Sequence, residues 1–286
     1  MWTDWRRLAD GLLRPGAAEA MRRERDLVAR IRGRCTAPRV VSVLAGKGGV
    51  GTTTAAAAIG LVLAALRHDA TALVDPRHAT ASLGRRLAGQ PAPTVDGLAV
   101  RERGRPATVP LRVAGALDVV DGAPWHRPVR GDVLTATLDE LRDAHAFTIV
   151  DVGTHPTDNT RLVLGRTHRA VVVTTPTAQA EEAVRVALLR IRAVVPDLLG
   201  TVVLAVAGLT PRPDTRAPDR LAATLGLPPA RIVAVPYDPA LRGGGALDPA
   251  RLRPATRIAF LRLAGLVVDP GEPTPDPLAL SEVAAS

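Results

Sequence analysis

The chain has 286 residues, a formal charge of +9, and a composition that is 47% hydrophobic but only 2% aromatic. That length suits one large α/β domain with short extensions. A core so aliphatic fits a parallel sheet covered on both faces and argues against a nucleic-acid reader that stacks bases on Phe or Tyr. The single cysteine, Cys35, leaves no disulfide framework or cysteine metal site within the chain, which fits a cytoplasmic location.

In chain order, residues 1–38 form a basic extension. Trp2, Trp5, Leu8, Leu12 and Leu13 fall near helical spacing. After Pro15-Gly16 a second helix is predicted over Ala17–Arg34, with Met21, Leu27, Val28 and Ile31 as its apolar positions. Arg and Glu alternate there, so a helix docked on the main domain is preferred to a basic arm for a partner or membrane. Met1–Ala20 has no apolar signal-peptide core, and no apolar run is long enough to span a bilayer.

The main domain, residues 39–268, opens with a predicted buried strand, Arg39–Leu44. A glycine-rich loop follows, then an alanine-rich helix over Thr52–Leu66 and a strand over Ala70–Val74. Residues 89–115 are rich in Pro, Gly and Arg and show weak periodicity. Further strands are predicted at Leu117–Val120, Phe147–Val150, Ala170–Thr174, Thr201–Val206 and Ile232–Val235. Helices are predicted at Gly131–Ala144 and Ala178–Val194. This alternation predicts a mostly parallel central sheet with helices on both faces and right-handed crossovers. From Asp269 to Ser286 the chain holds four acids, four prolines and no base, so an acidic, disordered tail is predicted.

The chemistry concentrates in Val43–Thr54, VLAGKGGVGTTT. A strand running into a glycine turn and then a helix is the context of a P-loop. Glycines let successive N–H groups face a phosphate, and the helix N-terminus adds its positive dipole end. Gly46, Gly51 and Thr53 match G-x-x-x-x-G-K-[ST], but Thr52 stands at the lysine position. The chain's one lysine among 37 basic residues, Lys47, comes early in the loop. A lysine kept where arginine serves everywhere else points to a site needing a compact ammonium. The other 36 are arginines in a chain rich in Ala, Gly and Pro, so the charge reads as compositional bias rather than as a DNA surface.

The string KGGVG resembles the deviant Walker A loop of the MinD/ParA family of dimeric ATPases, and the resemblance extends over residues 39–265. It implies the P-loop NTPase fold, ATP or ADP with Mg²⁺ as ligands, and a homodimer with ATP. Gly46, Lys47, Gly48, Gly49, Val50, Gly51, Thr52, Thr53 and Thr54 would bind the nucleotide, with Pro236 and Asp238 near the adenine. Thr53, Asp75 and Asp151 would serve Mg²⁺. Lys47 would reach the partner's nucleotide and, with Asp75 and Asp151, support catalysis. Val152-Gly153-Thr154 resembles a switch loop. The family's D-x-D is here Asp75-Pro76-Arg77, where Arg77 could contact phosphate in place of the lost lysine but is read as solvated, and its base-reading asparagine is replaced by Ala207-Gly208. Asp75 could equally be a turn former before Pro76, and His155 reads as a solvated loop residue. The strings Leu27–Arg32 and Arg67-His68-Asp69 resemble an actinobacterial MinD-like subgroup associated with type VII secretion.

Two readings of activity follow. One is an ATPase switch serving DNA or cargo partitioning or protein secretion. The other, preferred, is a weak or degenerate ATPase acting as a nucleotide-dependent dimer switch or scaffold for an unknown protein partner. Losses at residues 52 and 77 both weaken hydrolysis. The acidic end speaks against a membrane-binding helix.

Overall fold

The computed structural model describes residues 18–77, 82–102, 105–106, 108–122, 129–212, 214–269 and 271–278. Its centre is an eight-stranded sheet. In chain order the strands are β1 (Arg39–Leu44), β2 (Thr71–Val74), β3 (Leu111–Val113), β4 (Leu117–Val120), β5 (Phe147–Gly153), β6 (Arg169–Thr174), β7 (Val203–Ala207) and β8 (Ile232–Val235). Across the sheet they run β8-β7-β6-β1-β5-β2-β4-β3. All neighbouring pairs are parallel except β3 with β4. β3, only three residues long, lies within the stretch of weak periodicity and was not predicted.

Each strand splits its side chains between two cores, as a period of two demands. Val41 and Val43 of β1, Leu73 of β2 and Ile149 of β5 enter one core; Val40 and Leu44, Ala72 and Val74, and Val150 enter the other. Both faces are therefore apolar, which is why these strands read as continuous Val/Leu/Ile runs.

The first core is closed by α1 (Ala18–Arg32), α2 (Thr52–Leu66) and α9 (Pro254–Val268). α2 is buried almost all round, and its alanines let it lie close to the sheet. Val28 and Ile31 of α1 are buried in this same core. Arg67, also buried, fastens the end of α1 by donating to the carbonyls of Ile31 (2.5 Å) and Gly33 (2.8 Å), while pairing with Asp69. The docked-helix expectation is met for residues 18–32; the predicted helix around Trp2–Leu13 lies outside the described residues.

The second core is covered by α4 (Val95–Ala99), α5 (Gly131–Ala144), α6 (Asp158–Leu164), α7 (Ala180–Arg192) and α8 (Ala217–Leu225). α3 (Leu83–Ala88) lies near the start of α2, with Leu83 and Leu87 in the first core. Among the described residues no helix is long and apolar enough to cross a membrane. The expected disorder from Asp269 does not extend over 271–278. Leu278 is buried, and Thr274 N donates to Gly200 O at 2.9 Å. Buried Arg231 also donates to the carbonyls of Gly200 and Glu272 and so links this segment to the domain.

Candidate nucleotide-binding cleft

At the C-terminal edge of the sheet, β1 runs into residues 45–51 and then α2. Ligands of open α/β sheets bind at this edge. The loop is anchored at both sides: Ala45 N donates to Gly153 O at 3.0 Å, and Gly46 lies against the backbone of α7. A Cβ at Gly46 would fall 1.8 Å from the carbonyl oxygen of Ala183. Gly49 and Gly51 have φ of +75° and +96°, in the left-handed region where a glycine costs least. Gly51 is the N-cap of α2, and no side chain caps its first turn. The helix starts with open N–H groups and no acidic residue, the arrangement that favours an anion.

The loop walls a cleft of about 490 Å³ lined by residues 48–55. Arg77, Arg86 and Thr154 also line it, together with Ala207, Gly208, Pro236, Tyr237, Asp238, Arg242 and Phe260. The structure gathers Gly48–Thr54, Pro236 and Asp238 around one space, while Gly46 and Lys47 do not line it. Asp238 contributes as a structural cap, because its carboxylate accepts from the N–H groups of Ala240 (3.0 Å) and Arg253 (2.8 Å). Burial alone would raise its pKa, but these backbone donors hold it below the usual carboxylate range. Lys47 is exposed at the rim and donates to Gln179 Oε1 at 2.9 Å. Among the described residues no other hydrogen-bonding group confines it in the way a need for a compact ammonium implied.

Thr53, Asp75 and Asp151 are also brought together, but around a side chain of this chain. Thr53 Oγ1 donates to Asp151 Oδ2 at 2.5 Å. Arg77 Nε and Nη2 each contact Asp75 at 2.9 Å, and Nη2 also contacts Thr53 Oγ1 at 3.1 Å and Asp151 Oδ2. The expectation of a solvated Arg77 is therefore wrong. Asp75 is both turn former and ion-pair partner, since its Oδ1 accepts from Arg77 N at 2.9 Å across Pro76. Burial pushes Asp151 up to about 6 and raises Asp75 as well, with Arg77 pulling both back. Burial would lower the Arg77 guanidinium, yet Asp151 and Asp75 outweigh it and hold it firmly charged.

Sequence reasoning missed two further arginines. Arg86 of α3 reaches the loop, donating to Thr54 Oγ1 at 3.1 Å and to Gly245 O at 3.2 Å. Arg190 of α7 donates to Ala45 O at 3.2 Å and to Thr154 O, tying the P-loop to the switch-like loop. Nothing local marks either among so many arginines. His155 is exposed, as expected.

No protein-family model matches the chain, and no curated protein does either. Solved structures do match its fold. The septum site-determining protein MinD of Pyrococcus horikoshii OT3, complexed with Mg-ADP, superposes with a TM-score of 0.63 at 18% identity, over 79% of this chain and 94% of that one. The cell division ATPase MinD of Pyrococcus furiosus gives 0.59 at 22%, over 80% and 98%. A ParA family ATPase of Chlorobium tepidum TLS gives 0.56 at 16%, over 87% and 98%. The strand–loop–helix cleft on a mostly parallel sheet defines the P-loop NTPase architecture. Within that architecture, the fold is the one shared by the MinD and ParA ATPases.

Proposed function

We propose that this chain is a MinD/ParA-like nucleotide-binding protein that takes ATP or ADP in the cleft and hydrolyses it weakly or not at all. The observation that carries this is the loop itself: left-handed Gly49 and Gly51 and an uncapped helix start face a cleft of nucleotide size. The polyphosphate lies along residues 46–54, and the base lies toward Pro236 and Tyr237. Arg86 supplies the cation that Thr52 does not, reaching the start of α2 from α3. Weak hydrolysis follows from the same residues: position 52 offers no ammonium to the γ-phosphate, and position 77 offers no carboxylate to orient water.

Titration calorimetry of ATP into wild type and Arg86→Ala tests this reading. A charge-assisted hydrogen bond is worth about 2 kcal/mol, so Arg86→Ala is expected to bind roughly thirtyfold more weakly. Equal affinities would remove Arg86 from the phosphate site.

Lys47 points to association. Its exposed ammonium donates to Gln179, its single hydrogen-bond partner among the described residues, and can serve a second subunit facing the same cleft. A shift toward a two-fold dimer is expected with ATP. Lys47→Ala should abolish that shift without loss of stability, and Lys47→Arg should impair it. Light scattering with and without ATP reads the outcome; a full shift in Lys47→Ala would refute a role in trans.

A further inference from the structure

Two carboxylates and a hydroxyl are the hard oxygen donors that suit Mg²⁺, and Thr53, Asp75 and Asp151 provide them. In this chain those donors are already committed, except Asp151 Oδ1, which is buried without a hydrogen-bond partner among the described residues. The Arg77 guanidinium contacts both Asp75 oxygens, Thr53 Oγ1 and Asp151 Oδ2. Asp75 and Asp151 are 1% and 0% exposed in their side chains, so a cation there faces two desolvated carboxylates. The fit extends to the neighbouring backbone. At Gly153, which follows Asp151 by two residues, a Cβ would lie 2.8 Å from Arg77 Cδ and 2.9 Å from Nη1. The absence of a side chain there makes room for the guanidinium. A resident Mg²⁺ does not fit this arrangement: it would have to expel a paired arginine from three of its partners at once.

We infer that Arg77 is a built-in cation standing where a metal ion would, so that the chain binds its nucleotide without needing Mg²⁺. The chemistry suits the role. A guanidinium is planar, always charged, and presents five donors in a fixed fork that can hold carboxylates on one edge and phosphate on another. The contacts above use Nε and Nη2, while the side chain is 35% exposed and lines the cleft. Among the described residues Nη1 has no hydrogen-bond acceptor, which leaves it as the donor for a phosphate oxygen. Arg86, which donates to Thr54 Oγ1 and also lines the cleft, adds a second fixed positive charge. Between them, the two arginines supply permanent charges that a bound ion would supply only when present. This inference rests on the nucleotide reading above.

The test is the ATP affinity of the full chain, by calorimetry, in EDTA and in excess Mg²⁺, for wild type and Arg77→Ala. Wild type is expected to bind within about threefold in the two buffers, whereas Arg77→Ala, with its oxygen donors released, is expected to gain about tenfold or more from Mg²⁺. A wild-type affinity that Mg²⁺ tightens by about tenfold or more would overturn the inference while leaving the nucleotide reading intact. An absence of binding in both buffers would overturn both. The wild-type comparison decides by itself if Arg77→Ala does not fold.

Discussion

Gly46→Ala is expected to lose about 3 kcal/mol of stability or more, and to lose nucleotide binding with it. The added methyl would sit 1.8 Å from Ala183 O and 2.7 Å from the carbonyl carbon. Both are backbone atoms of α7, so no rotamer change can relieve the overlap, and either the helix or the loop must move. A movement of the loop opens the turn that aims its N–H groups into the cleft. Gly48→Ala is the control, because a Cβ there meets nothing within 4 Å. Urea unfolding of the two variants should separate their midpoints widely, with Gly48→Ala near wild type. Coincident midpoints would mean that α7 does not pack on the loop as described.

Arg77→Ala is expected to cost about 3–5 kcal/mol at pH 8, the usual penalty for removing one side of a buried ion pair. Because Arg77 is itself 35% exposed, water can enter behind it, which places the cost toward the lower figure. The pH dependence has a definite sign. Asp151 is raised to about 6 by burial, and Asp75 is raised by burial too. A carboxyl with a folded pKa above its unfolded one binds its proton more tightly in the folded state. Stability therefore falls as pH rises from about 4, the unfolded value, through the folded value. In the wild type the Asp151 contribution spans about pH 4 to 6. Without Arg77 both folded values move higher, so the deficit of the variant should be small at pH 5 and full at pH 8. Urea midpoints at several pH values check this; a deficit independent of pH would show that Asp75 and Asp151 are not held together as a charged pair.

How much of this was legible depended on where each signal lies. The sheet was readable because strands buried on both faces write themselves as unbroken aliphatic runs, and Asp151 stood out at the end of such a run. α9 was not readable from periodicity. It is buried on most of its circumference, from Thr256 through Phe260 to Val267, and a helix without a polar face shows no 3.6-residue stripe. β3 has three residues, too few to alternate. The P-loop residues were legible because their chemistry is contiguous in the chain. The arginines around them were not, because their meaning is three-dimensional. Arg86 lies 32 residues from Thr54 and Arg77 lies 74 from Asp151. In a chain with 36 arginines, composition cannot pick out Arg77, Arg86 and Arg242, which line the cleft. The sequence reading recognised a lost carboxylate at position 77 but not that the side chain replacing it would turn inward onto the remaining two.

The proposed occupant of the cleft lined by residues 48–55 is an adenine nucleotide. Equilibrium dialysis of the full chain against labelled ATP tests it most directly. The account predicts one retained nucleotide per chain, displaced by unlabelled ADP but not by adenosine, since the loop holds the phosphates. Label that is not retained, or that adenosine displaces as well as ADP does, would contradict it.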